Sequence, residues 1–394
     1  MAQTGFCDSK ALLDLHKKPE ERRVPLRTWA NSCLPKERCP PAESMERWEM
    51  VPKAEQDSKW VRKVPLSAEE GIILDYAQMN TTHADGPKEE AMLRCLHGLQ
   101  DLRILVPSLL RHEMELAMDK LGLIYDRTYA WDIFSDMMRS QLRDTFPSAD
   151  LPNPFTENTR AILVDWLIQV HEVFHFSEES LYLAVHLLNR CLRQIKVSVA
   201  SLQLLGVVCL FVAGKKEECL LPEVSELCYL MENAYTKHQL LRMERRVLCG
   251  LKFNLSHCPP LHFLLLSASI ARCSNKMVWM ARYLLELSLL EGQCVMFLPV
   301  QLAGAALRLA RLVLQEPSTP ESEAAWCISS TIHVGSEATL LKIMQILAVA
   351  AARARTRETR ATYIKFSTAD TMCVSHHPAL KGAPCLLGLT SMQT

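Results

Sequence analysis

Two short segments of the chain recur further along it in the same order, and that recurrence restricts the fold more than any other feature. Gln203, Leu204, Leu205 and Gly206 are echoed by Gln301, Leu302, Ala303 and Gly304, and Leu240, Leu241, Arg242 and Met243 by Leu340, Leu341, Lys342 and Ile343, at offsets of 98 and 100 residues. Matches at nearly one offset predict tandem copies of one supersecondary unit. The unit reads as helical. Leu163, Trp166, Leu167, Val170, Val173 and Phe174 recur at the spacing of one helix face, while Arg160, Asp165, Gln169 and Glu172 fall mostly elsewhere. Ser177 is placed to cap a second helix, with Glu178 and Glu179 at its positive end. A third begins near Ser198, Pro222 suits the first turn of a fourth, and Thr236 with Gln239 is a capping box opening a fifth, from Lys237 to about Leu251. Gly206 and Gly304, each costing about 1 kcal/mol against alanine in a helix interior, predict close helix packing.

The remaining chain divides around this pair of units. Residues 1–100, rich in Pro, Lys, Arg and Glu with uncorrelated apolar groups, predict a mostly disordered regulatory arm. Residues 101–157 predict lead helices, including an amphipathic one over residues 129–138, before Pro147, Pro152 and Pro154 break the pattern. The two units are expected at 158–257 and 258–355, followed by an irregular tail at 356–394. Arg353, Arg355, Arg357 and Arg360 make the start of that tail basic, and without an aromatic ladder they read as a solvated helix end rather than a nucleic-acid patch.

Composition narrows the function classes. Lysine plus arginine and aspartate plus glutamate balance at 44 each, so no global field favours nucleic acid or an anionic membrane. The uncharged run 197–214 approaches membrane-span length, but it holds Ser198, Ser201 and Gln203 and meets Lys215, Lys216, Glu217 and Glu218, which points to a buried helix. The 15 cysteines are odd in number and form no C-x-x-C pair, and Cys209, Cys228, Cys249 and Cys294 fall in apolar patterns. They read as buried free thiols in a reducing compartment, the nucleus or the cytoplasm. The polar start carries no secretory signal pattern.

Several separate motifs then resemble one family. Thr159 to Val170, the stretch 213–218 (AGKKEE), 221–224 (LPEV), 235–237 (YTK), 241–244 (LRME), 251–253 (LKF), 286–289 (ELSL) and 297–306 (FLPVQLAGAA) follow the order and spacing of the cyclins, most of all the A and B types, over roughly residues 125–370. The resemblance implies an all-α chain of two tandem five-helix cyclin-box folds behind the arm and lead helices. It implies a regulatory subunit that binds and activates a cyclin-dependent protein kinase in the cell cycle, with no catalytic residue, cofactor or metal of its own. Lys215 and Glu244 would pair and hold backbone groups of the kinase's mobile helix, and Ile133, Val212, Leu248, Phe253 and Leu255 would form the apolar contact surface. Read without the resemblance, each of those five apolar residues is a core residue.

Four positions depart from the family pattern. Lys216 stands where related cyclins carry an aromatic that packs on the kinase helix. Asn189 replaces the aspartate that pairs with the signature arginine, here Arg160. Thr159 and Gln169 replace the methionine and glutamate of the substrate-docking groove, whose apolar floor Ile162, Leu163, Trp166 and Gln203 retain. The chain thus resembles a divergent cyclin, and a kinase-independent scaffold on the same fold is the alternative. His171, Glu172 and His175 fit the H-E-x-x-H zinc protease pattern, but they straddle a helix end with no third ligand in sight. Arg23, Leu26 and Asn31 fit the destruction box that mitotic cyclins present to a ubiquitin ligase, in an arm where such a motif can bind.

Overall fold

The computed structural model describes residues 108–389 apart from Ser318 and Val334, so the expected arm and its residues Arg23, Leu26 and Asn31 lie outside the described residues. Among the described residues every regular element is helical. Helices α1 (Ser108–Lys120) and α2 (Ala130–Ser140) lead. A first unit follows, with α3 (Glu157–Phe174), α4 (Glu178–Gln194), α5 (Leu202–Glu217), α6 (Val224–Leu230) and α7 (Lys237–Gly250). The second unit holds α8 (Pro260–Ile270), α9 (Asn275–Leu287), α10 (Pro299–Leu314), α11 (Pro320–Ser330) and α12 (Glu337–Arg353). Short helices α13 (Ala361–Lys365) and α14 (Ala383–Leu386) close the described chain.

The recurring segments fall on corresponding helices, α5 with α10 and α7 with α12, so the repeat is one of three-dimensional units. Helix α5 is the centre of the first unit and packs on α3, α4 and α7, while α10 packs on α8, α9 and α12. Leu205, Val207, Val208, Cys209 and Leu210 are wholly buried, which is why the run carries no charge until it surfaces at Lys215. Burial of each large aliphatic side chain stabilises by about 1.5–3 kcal/mol. The two glycines allow the expected approach. A Cβ on Gly206 would stand 3.0 Å from Leu163 of α3, and one on Gly304 would stand 2.6 Å from the ring of His333.

Helix starts follow the local chemistry with two corrections. The Thr236–Gln239 box forms, with Gln239 N–H donating to Thr236 Oγ1 at 3.2 Å and Thr236 N–H to Gln239 Oε1 at 2.8 Å. Ser177 stands at the N-cap of α4, yet its hydroxyl caps nothing. The Glu218 carboxylate takes that place, accepting from Ser177 N–H at 2.8 Å, Ser177 Oγ at 2.7 Å and Ser180 Oγ at 2.5 Å. A carboxylate answers the positive helix end better than a neutral hydroxyl. Pro222 lies just ahead of the N-cap, Glu223, and not in the first turn of α6.

The tail, over its described residues, carries only short helices, yet it is tied to both units. Ala361 N–H donates to Asp165 Oδ1 of α3 at 2.7 Å, and Lys365 Nζ reaches Glu286 of α9 at 2.8 Å and Glu172 of α3 at 3.0 Å. Phe366 is wholly buried against Tyr283, with 5.5 Å between ring centroids. This segment therefore straps the two units together. The basic stretch before it is not wholly solvated, since Arg357 pairs with Glu291. Of the thiols expected inside, Cys209, Cys228 and Cys294 are buried but Cys249 is exposed, because the fifth helix turns that position outward.

Candidate functional site

Lys215 lies in the last turn of α5 and Glu244 midway along α7, so two helices that pack together bring the charges to one place. Lys215 Nζ donates to Glu244 Oε1 at 2.5 Å, and the ammonium lies 4.4 Å from the Phe211 ring centroid. The lysine side chain is 44% exposed and the glutamate 11%, a half-open pair that can still receive a partner's peptide groups. Lysine in the last helical turn is also favoured by the helix dipole.

The apolar residues expected at the contact surface differ in exposure. Lys252 and Phe253, directly after α7, have φ of 52° and 55°, consecutive left-handed residues that are not glycine. Such conformations cost on the order of 1–3 kcal/mol each and persist only where the surrounding structure enforces them. Here they hold Phe253 out with 68% of its surface exposed. Ile133, Leu248 and Leu255 are half-buried. Val212 is corrected: at 2% exposure it is core, as its apolar helical setting alone implies. Leu220, Leu221, Tyr229 and Leu241 are exposed large apolar residues on α6, α7 and the loop before α6, and sequence reasoning did not single them out as contacts. The adjacent Leu220 and Leu221 ahead of Pro222, outside any helical period, were the available signal.

Lys216 points into a different environment. Its Nζ donates to Glu217 Oε1 at 2.6 Å, and it lines a cleft of about 260 Å³ with Glu179, His257 and His262. The groove residues divide. Leu163 is buried under Gly206, while Ile162, Trp166 and Gln203 are half-buried on α3 and α5. The two departures there have internal partners: Thr159 Oγ1 lies 2.7 Å from Thr156 Oγ1, and Gln169 Nε2 donates to Asp165 Oδ2 at 3.1 Å.

Arg160 is buried, and its Nε donates to Asn189 Oδ1 at 2.7 Å, so the expected partnership forms with an amide in place of a carboxylate. Its Nη1 has no hydrogen-bond partner. Burial first, and then the nearby Arg193, push its pKa down from 12.5 to about 10. Burial likewise pushes Asp165 up to about 6 against its hydrogen bonds from Ala361 and Gln169. Burial opposes charge on Glu172, but its bond to His171 and the Lys365 ammonium hold it down to about 2. The H-E-x-x-H residues form no metal centre. His171 Nε2 hydrogen-bonds the Ser177 carbonyl at 2.8 Å, Glu172 is paired with Lys365, and His175 has left the helix at φ 53°.

Two tandem five-helix units, the first carrying the half-open Lys215–Glu244 pair, define an all-helical protein. The chain belongs to the cyclin family: residues 132–256 match the family described as Cyclin, N-terminal domain, and residues 258–380 match Cyclin, C-terminal domain. It is similar to the G2/mitotic-specific cyclin-B of Arbacia punctulata, 38% identical over 206 residues, 52% of this chain and 49% of that protein. It is also similar to the G2/mitotic-specific cyclin-B2 of Rana japonica, 34% identical over 256 residues, 64% of each chain. The chain thus spans between about half and two thirds of the length of these curated relatives. Among solved structures, a viral cyclin from herpesvirus saimiri aligns with a TM-score of 0.47 at 18% identity, covering 55% of this chain and 97% of that one.

Proposed function

We propose that the chain is a regulatory subunit that docks on, and activates, a cyclin-dependent protein kinase in cell-cycle control, working in the nucleus or the cytoplasm. The half-open Lys215–Glu244 pair carries this reading. A kinase needs its β3 lysine paired with the glutamate of its mobile helix before the nucleotide phosphates are aligned. A partner that binds only the inward position of that helix shifts the population toward the active state. The pair offers a donor and an acceptor to the exposed peptide groups at that helix, and Phe253, Leu248, Leu255 and Ile133 offer apolar area around it. The mitotic names of the similar cyclins support a cell-cycle setting.

Substrate proteins would dock along Ile162, Leu163, Trp166, Gln169 and Gln203, with weakened polar recognition because Gln169 is held by Asp165. A ubiquitin ligase would read Arg23, Leu26 and Asn31. A kinase-independent scaffold is the second reading, favoured by Lys216, whose charge is satisfied by Glu217 and would sit on an apolar seam. Lys215→Glu tests the first reading by setting two carboxylates together. It should weaken co-purification of a kinase by at least about 2 kcal/mol, more than tenfold. Equal recovery of kinase by a folded Lys215→Glu protein rules the pair out as the contact.

A further inference from the structure

Beside the cleft that Lys216 lines, three potential metal ligands converge from distant parts of the chain. Asp144 follows the lead helices, His186 lies within α4, and His257 lies in the connection between the two units. Their ligand atoms all lie within 4.8 Å of one another. Asp144 Oδ2 is 3.0 Å from His257 Nδ1, and Asp144 Oδ1 is 3.8 Å from His186 Nε2. All three side chains are buried, at 6–8% exposure.

We propose that Asp144, His186 and His257 bind one divalent transition-metal ion of the zinc type, which ties the connection between the units to the first of them. Metal–ligand bonds of about 2.0–2.1 Å in a tetrahedron place ligand atoms about 3.3 Å apart; His257 Nδ1 stands 3.0 Å from one Asp144 oxygen and His186 Nε2 3.8 Å from the other, so small side-chain turns bring all three to one point. Two imidazoles and one carboxylate suit zinc, whereas magnesium and calcium take oxygen ligands. The imidazoles are stacked, 4.3 Å between centroids and 11° from parallel, so binding turns one ring to aim its nitrogen at the shared point. The carboxylate is already oriented, because Cys258 N–H donates to Asp144 Oδ2 at 3.0 Å, as outer partners orient metal ligands. His257 also lines the 260 Å³ cleft beside Glu179 and His262, which gives an ion a way in and a water the fourth position. This proposal does not depend on kinase binding.

The test titrates chelator-treated full-length protein, kept reduced, with zinc sulfate alone by calorimetry, and with cobalt(II) by absorbance. One ion per chain should bind, raise the melting temperature, and give cobalt bands of nitrogen and oxygen ligation. His257→Gln and His186→Gln should each weaken that binding by at least about a hundredfold, a loss no smaller than that for removing an outer partner. Asp144→Asn, which keeps shape and a hydrogen-bond acceptor, should do the same if a histidine variant fails to fold. Binding as tight in these folded variants as in the wild type, a cobalt spectrum dominated by thiolate bands, or no binding at all overturns the proposal.

Discussion

Replacing Asn189 by aspartate should stabilise this protein. Arg160 is 4% exposed and carries its charge beside an amide oxygen, with one guanidinium nitrogen unpartnered. Its fall from 12.5 to about 10 corresponds to about 3 kcal/mol of charge held at a disadvantage, at about 1.4 kcal/mol per unit. Asn189→Asp keeps the shape and turns the 2.7 Å hydrogen bond into a charge-assisted one, about twice as strong. After the new carboxylate's own desolvation, a net gain of about 1–2 kcal/mol is expected. For domains of this size that raises the melting temperature by about 2–8 °C, measured by circular dichroism at pH 7. The sign with pH follows. Arg160 depresses the pKa of the new carboxylate in the folded state, so the gain is complete above the unfolded carboxylate range and is lost as pH falls through the lower folded value. An unchanged or lower melting temperature for Asn189→Asp at pH 7 would refute the view of Arg160 as an undercompensated buried cation.

Other outcomes are expected from the same structure. Lys216→Phe removes the pair with Glu217 and adds apolar area, so it should tighten binding to a common cell-cycle kinase by about 1–2 kcal/mol, read by titration against a kinase panel. Weaker binding to one particular kinase would instead mark a partner with a complementary carboxylate. His333 is pushed down from 6.5 to about 4 by burial and then by Arg308, so the unfolded chain takes up its proton first as pH falls. Stability should therefore drop between those pH values by up to about 3 kcal/mol, and His333→Gln should remove that part of the slope in denaturant melts at pH 7 and pH 5. Identical slopes for both proteins would contradict it. Arg23→Ala with Leu26→Ala should lengthen the protein's lifetime in dividing cells without moving its melting temperature. Equal decay after a translation block at mitotic exit dismisses the destruction box.

What could be read in advance was what the chain encodes locally. The helices show in the 3.6-residue period and in caps such as Thr236 with Gln239, and the repeat shows because Gly206 and Gly304 must meet Leu163 and His333 at close range. The pairing of Lys215 with Glu244 was available only through resemblance, since nothing local joins α5 to α7. Features set by distant partners were hidden. Glu218 capping α4, Asp165 and Lys365 holding the tail, and the approach of His257 to Asp144, 113 residues away, depend on how helices assemble. The resemblance misjudged Val212, which the apolar pattern alone reads as core, and the apolar pattern misjudged Cys249. A helix with neighbours on most sides buries residues that would otherwise serve as contacts, and the exposed stripe is fixed by packing, not by composition.

Adding the purified full-length protein to purified monomeric cyclin-dependent kinases, and measuring phosphate transfer to a peptide substrate, tests the central claim most directly. For at least one kinase, rates should rise with protein concentration to a plateau on the order of a hundredfold above the kinase alone, as expected when a minor active state becomes the major one. The folded Lys215→Glu protein should need more than tenfold higher concentration to reach half that effect. Folded protein that neither binds nor activates any kinase of the panel contradicts the account and leaves the scaffold reading in its place.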